Sequence, residues 1–400
     1  MSARAAGRGR HAASRAAWFA ALVLVAGCSG GSRLNPLNWW GGAPTGPQPT
    51  PLQEIKATLA IGTAWRAAVG SAGNYYFAPA VADGLVFAAG ADGTLAAFSV
   101  SDGAQRWRIS ANRLGLSAGV GAGENTVVVG TIKGEVLAFD ATGREKWKAQ
   151  VSSEVLAPPL VSDGMVLVRS NDNRVHAFAA ADGRRRWTYQ RTAPALVLRN
   201  FSGLTAGGGA VFAGFAGGRL VALNASNGSL RWEGTVALPR GATELERIAD
   251  VTGVPVLVDR TVCATAYQGR TACFDVANGQ PLWTRDVASQ AGLSVDARYA
   301  FVSDERSALV GLSAATGSSL WRQERLQWRG ISAPLSIGRA VVVGDSQGVV
   351  HAMAREDGSF IGRAATDGGW IAATPALIRL PGGEGLLVQT RTGGLFAFNL

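Results

Sequence analysis

A single unit, repeated along most of the chain, limits what this sequence can fold into. It runs as a Val-rich stretch, a polar turn with Gly, a second apolar stretch ending in Ala-Phe or Ala-Leu, another turn, and a Trp shortly after. Copies end at Trp107 (GADGTLAAFSVSDGAQRW), Trp147 (GTIKGEVLAFDATGREKW), Trp187, Trp232, Trp283 and Trp321. A seventh, GDSQGVVHAMAREDGSFIG, carries Phe360-Ile361 in the Trp region. Successive Trp residues from Trp107 onward are 40, 40, 45, 51 and 38 positions apart, near the period of about 40–50 residues that marks propeller blades. Asp83-Gly84, Asp92-Gly93 and Asp102-Gly103 place three turns in the first unit alone. Asp-Gly and Asn-Gly tolerate the positive φ of tight hairpins, so each unit reads as a four-stranded antiparallel blade.

The two ends of the chain fix the number of blades. The sequence stops at TRTGGLFAFNL, a copy that reaches its Ala-Phe strand and lacks the Trp strand. Near the start, IGTAWRAAVG (Trp65) is a Trp strand without its preceding three. Joined, they complete one blade. The expectation is all-β: a single eight-bladed propeller over 54–400, closed by pairing of N- and C-terminal strands, which removes two exposed sheet edges. The Trp residues are expected to pack between neighbouring blades. Composition agrees with strand-and-turn chemistry: 53 Gly, 47% hydrophobic and only 16% charged residues.

The first 28 residues read differently. Residues 1–15 carry Arg and no acid, and 16–27 (AAWFAALVLVAG) form an apolar run too short to span a bilayer, which takes about 20 residues. Val25-Ala26-Gly27-Cys28 resembles the bacterial lipobox. The resemblance implies a signal peptide over 1–27, cleavage before Cys28, and acyl chains on Cys28 that anchor the mature chain in a membrane. Ser29, where an Asp would suggest inner-membrane retention, points to the outer membrane. Residues 28–53, rich in Gly, Ser, Pro and Thr, are expected to be a flexible tether, with Trp39-Trp40 as its one odd feature. The net charge of +10 falls to +6 once Arg4, Arg8, Arg10 and Arg15 leave with the signal. The remaining Arg residues form no basic stripe with interleaved aromatics, so no nucleic-acid partner is expected.

Catalytic material is sparse. The chain has 3 His. His11 lies in the signal, and His176 and His351 share one repeat position, held by Leu137 in another copy, which favours a structural role. Gly-rich 206–214 is a hairpin turn and no P-loop, since no Gly-Lys-Ser/Thr follows. Cys263 and Cys273 lie on consecutive strands of the fifth blade, nearly opposite, as either a cross-strand disulfide or two buried thiols. The repeat also resembles quinoprotein-type propellers, some of which are pyrroloquinoline-quinone dehydrogenases. That resemblance implies Ca²⁺ ligands, a base Asp and commonly a vicinal Cys pair. The chain has no Cys-Cys and no evident clustering of acids. No cofactor, metal ligand or catalytic residue is expected; a quinoprotein oxidoreductase is kept as an alternative.

Two connections between blades are longer than the rest: 188–200 (TYQRTAPALVLRN) and 234–253 (GTVALPRGATELERIADVTG). In a four-stranded meander every crossing to the next blade leaves from one face, so these two form a contiguous surface there. Thr243-Glu-Leu-Glu246 is a capping-box pattern that could start one short helix. Leu196 and Leu198 beside Arg199 form a candidate protein-binding anchor. The lipobox, the tether, the propeller, ALVLRN and TELERIADVTGVPVL together resemble the BamB family, the lipoprotein subunits of the outer-membrane β-barrel assembly (Bam) machinery. The resemblance implies a non-catalytic protein on the periplasmic side of the outer membrane, a monomer within a hetero-complex. It implies binding to the POTRA domains of the barrel subunit BamA, with other Bam lipoproteins touched only indirectly. The family's contact motif, Leu-x-Leu-Arg followed by Asp-x-Asp, falls on Leu196, Leu198, Arg199 and Asp250. Thr252 stands where the second Asp would be, and Glu246 could substitute. The contact is expected on one face rather than in the central channel. Another envelope-assembly propeller lipoprotein is the remaining alternative.

Overall fold

A computed structural model describes residues 46–400. The signal peptide, Cys28 and Trp39-Trp40 lie outside the described residues. Thirty-two strands form eight four-stranded antiparallel sheets. Seven are meanders in chain order: blade 1 spans 80–110, blade 2 121–150, blade 3 160–190, blade 4 204–235, blade 5 251–285, blade 6 292–323 and blade 7 335–365. Blade 8 takes Ala376–Leu380, Gly383–Gln389 and Gly394–Asn399 from the end of the chain. Its outer strand is Gly62–Ala68, paired antiparallel with Gly394–Asn399. The two incomplete copies do complete each other.

The core lies between blades rather than within them. Each buried apolar cluster draws on two neighbouring sheets: Val128, Val136 and Trp147 of blade 2 pack on Val166, Val168 and Phe178 of blade 3. The second and third strands of a blade are covered on both faces. This is why they read as continuous apolar runs such as Thr126–Gly130 (TVVVG), all five residues buried. The Trp on each fourth strand stitches one blade to the next. Trp65, Trp107, Trp147, Trp187, Trp232, Trp283 and Trp321 each donate Nε1–H to a carbonyl of the following blade at 2.7–3.0 Å. The indole lies over the Gly of that blade's last turn. Gly103 has φ +71°, and a Cβ there would sit 2.6 Å from the Trp65 ring. Gly therefore serves both the turn and the docking.

One junction lacks this device. Gly362 pairs with Ala352, the register at which Trp107 pairs with Ala97 and Trp187 with Ala177 in other blades. The following blade 8 has no last turn to dock on, because the termini meet there. Chain from the N-terminal side fills the gap. Thr58 N and Leu59 N both donate to Ile361 O at 2.8 Å. The Leu59 carbonyl lies 2.8 Å from where a Gly362 Cβ would be.

The same strap is held further back by four arginines that donate to its carbonyls. Arg329 reaches Thr50 O (2.9 Å), Arg363 Gln53 O (3.0 Å), Arg325 Glu54 O (3.4 Å) and Arg339 Thr58 O (2.6 Å). Ile55 packs on the core between blades 6 and 7, and Leu59 and Ile61 on that between blades 7 and 8. The compact body accordingly starts at Pro47. Residues 50–53, placed by the sequence in the flexible tether 28–53, are bound to the propeller.

Candidate functional site

The two long connections, 191–203 and 236–250, leave adjacent blades on one face, and the end of the first is zipped to the first strand of blade 5. Ser202 and Gly253 form a parallel bridge. Gly203 N donates to Gly253 O (2.9 Å), and Gly253 N to Phe201 O (3.3 Å). The first connection exposes Leu196 (46%) and Val197 (36%) and half-buries Leu198.

Asp250 is a fixture beneath this loop and not an exposed contact. It is 4% exposed. One carboxylate oxygen accepts from Leu198 N at 2.7 Å, the other from Gly217 N in the middle turn of blade 4 at 3.1 Å. It thus ties the Leu-x-Leu-Arg segment to the scaffold. Behind it lies a cavity of about 20 Å³, lined also by Arg169 and Asn200, whose Nε and Nδ2 are buried without partners. Burial pulls the Arg169 pKa down to about 10, opposed by Asp250 and Asp172. Thr252, in place of the family's second Asp, is also buried, and donates to Ser289 O at 2.6 Å in the connection to blade 6.

Glu246, read as able to substitute for the missing acid, is exposed and turned back on its own loop. Its carboxylate accepts from Ala242 N (2.8 Å) and Thr243 N (3.1 Å), while Glu246 N donates back to Thr243 Oγ1 (3.3 Å). These amides hold its carboxyl below the usual carboxylate range. The capping box forms, but the expected helix does not: 244–247 is a single turn. Ile248 and Ala249 are drawn into the core immediately after it, so the apolar residues fall side by side instead of a helical turn apart.

The acid that meets Arg199 is Glu154, from the connection between blades 2 and 3, at 2.7 Å. This pairing raises the Arg199 pKa. The Arg199 guanidinium also lies 5.9 Å from the Tyr75 ring centroid. Both Glu154 and Tyr75 escaped the sequence reading. The one available signal was topological, since each lies in a blade-to-blade connection on the face of the long loops.

Leu198 and Arg199 also line the mouth of the central channel. A cavity of about 480 Å³ there is walled by Tyr75, Tyr76, Phe201, Trp370 and Arg391 among others. Tyr76 and Phe201 stack across it, centroids 3.6 Å apart and rings 14° from parallel. Burial raises the Tyr76 pKa, and its hydroxyl accepts from Thr374 N at 3.0 Å. The expected separation of contact face from channel is therefore corrected: the loop forms part of the channel rim.

The remaining candidates are accounted for by packing. His351 bonds through Nε2 to Asp345 (2.8 Å), and its Nδ1 accepts from Arg363 Nε (3.3 Å), which requires the neutral ring. His176 sits between Ser170 (3.1 Å) and Thr188 (3.2 Å), its pKa lowered to about 4 by burial. Gly208-Gly209 is a hairpin turn between Leu204–Gly207 and Ala210–Phe215. Cys263 and Cys273 are direct cross-strand partners, Cα atoms 4.0 Å apart with their sulfurs bonded, both fully buried. No group of three or more His, Cys, Asp or Glu among the described residues is arranged to hold a metal.

Comparison with known proteins bears on the family and the fold. The family model described as outer membrane protein assembly factor BamB matches residues 62–115 and 91–323. The protein of that name from Burkholderia pseudomallei is 43% identical over 353 residues, covering 88% of this chain and 91% of the relative. The crystal structure of BamB from Moraxella catarrhalis superposes with a TM-score of 0.78 at 26% identity, over 85% of this chain and all of that one. Quinohemoprotein alcohol dehydrogenase from Comamonas testosteroni, at TM-score 0.70 and 14% identity over 84% of this chain and 76% of that one, shares the fold alone. By the family model and these relatives, the chain belongs to the BamB family of outer membrane protein assembly factors.

Proposed function

We propose that this chain is a non-catalytic scaffold of outer-membrane protein assembly, anchored by lipid on Cys28 and facing the periplasm. It docks on the POTRA region of the BamA-type barrel subunit through Leu196, Leu198 and Arg199. It meets other Bam lipoproteins only through that subunit. The observation that carries this reading is the exposed apolar pair Leu196-Val197 on a segment pinned at Leu198 by buried Asp250. An apolar anchor held rigidly beside an arginine is ordered before binding, so little entropy is lost on docking. Asp250 serves as a positioning residue, and Glu154 aims Arg199. Membrane attachment brings the disc to its partner, which raises the effective concentration at no cost in contacts.

The test is co-purification with the barrel subunit from detergent-solubilised envelope. Leu198→Asp and Arg199→Glu are expected to abolish it while the melting temperature stays within a few degrees. Retained co-purification in both variants overturns the reading.

A further inference from the structure

Arg391 stands out among the cations at the channel mouth. Arg199 has Glu154. The acids that share the mouth are engaged elsewhere: Asp304 with Arg322, and Glu305 with Gln268 N at 2.8 Å. Arg391 has no carboxylate partner among the described residues, and its Nε is buried without a hydrogen bond. It is nevertheless held in place. Its guanidinium lies 3.9 Å from the Trp370 ring centroid. Its amide donates to Trp370 O (2.8 Å), and its carbonyl accepts from Ala72 N (2.9 Å) and Ser71 Oγ (2.9 Å). Trp370 is fixed in turn by Nε1–H donation to Gly330 O at 3.0 Å.

A guanidinium stacked on an indole keeps its edge donors free in one plane, the geometry that takes a carboxylate through two parallel hydrogen bonds. Tyr75, Tyr76, Phe201 and Trp370 line the same cavity and lower the local polarity, which strengthens such a pair. We infer that Arg391 on Trp370 is a carboxylate-binding site at the channel mouth. It takes an acidic side chain of the protein partner that docks on Leu196–Arg199. The occupant follows from charge complementarity and from placement. The unmatched cation and the exposed Leu196-Val197 pair open on one face, and a cavity of about 480 Å³ admits side chains from a docked surface. The inference rests on the docking reading above and extends its footprint from one loop to the rim opposite.

The experiment is calorimetric titration of the purified POTRA region of the barrel subunit into the full-length chain in detergent. Variants are Arg391→Gln, Arg391→Lys and Leu198→Asp, each checked by thermal melting. Arg391→Gln, which removes the charge and shortens the side chain, is expected to bind about tenfold more weakly, as loss of one charge-assisted pair implies. Arg391→Lys keeps the charge without the fork and falls between. The affinity of Arg391→Gln is also expected to depend less on salt than that of the wild type. If both Arg391 variants bind within twofold of wild type while Leu198→Asp does not bind, the carboxylate site is wrong and the docking reading stands. If Leu198→Asp binds normally while Arg391→Gln is weakened, the loop reading fails and the channel mouth is the contact. If all variants bind alike, both fall.

Discussion

Asp250 offers the sharpest perturbation, because its two candidate roles predict different outcomes. As a direct contact, its removal would lower affinity and leave the free protein unchanged. As the buried acceptor for Leu198 N and Gly217 N, its removal disturbs the free protein first. Each buried amide left without an acceptor costs about 1–3 kcal/mol. The cavity of about 20 Å³ beside it has room for about one water, which would recover part of that. Arg169 loses an opposing charge as well. Asp250→Ala is therefore expected to cost about 3 kcal/mol. Asp250→Asn keeps one acceptor but turns an NH₂ toward the other amide, and should cost about 2 kcal/mol. Guanidinium unfolding followed by Trp fluorescence measures the total. Hydrogen exchange at Leu198 and Gly217 localises it, with protection expected to fall at both amides in both variants. Unchanged protection, with stability within about 0.5 kcal/mol of wild type, refutes the positioning role.

Other expectations are equally specific. Thiol titration of the unfolded, unreduced chain should find neither Cys263 nor Cys273 free, and replacing both by Ser should cost about 2–3 kcal/mol through the short loop they close; two free thiols would refute the bridge. Arg329→Ala should cost about 3–5 kcal/mol, since it leaves Asp345 buried beside a neutral His351 and frees Thr50 O; limited proteolysis should then cut within 47–58, and a resistant variant contradicts the strap. His176 is held neutral, its pKa of about 4 lying below the unfolded 6.5. Its contribution, on the order of 2–3 kcal/mol, is full above pH 6.5 and is lost as pH falls toward 4. His176→Leu, the residue type of Leu137 at this register, should flatten that slope in pH-dependent unfolding.

The repeat made the architecture legible because its marks are local. Asp-Gly turns and apolar runs name strands, and the half-copies at Trp65 and Phe398 name the closure. The strap was illegible for the opposite reason. Thr50 and Gln53 are gripped largely through backbone carbonyls, which carry no side-chain signature, in a stretch whose Pro and Gly read as tether. Gly362 marked the same place, since a Gly at the Trp register signals that something else crosses there. At the site, Leu196 and Arg199 were legible as an exposed motif. The inward turn of Asp250 was not, because a single carboxylate before a strand gives no clue to which side it faces. Glu154 lies one repeat before Arg199, where only the stacking of adjacent blades brings the two together, and Arg391 reaches the same rim only through closure of the ring.

The face bearing the long connections is proposed as the working surface of the propeller. Site-specific photo-crosslinking in intact cells tests it most directly. A photoreactive residue at position 196 samples that face, and one at exposed position 181, in the last turn of blade 3, samples the opposite face. A crosslink to the barrel subunit is expected from 196 and none from 181. Crosslinks from 181 with none from 196 would contradict it.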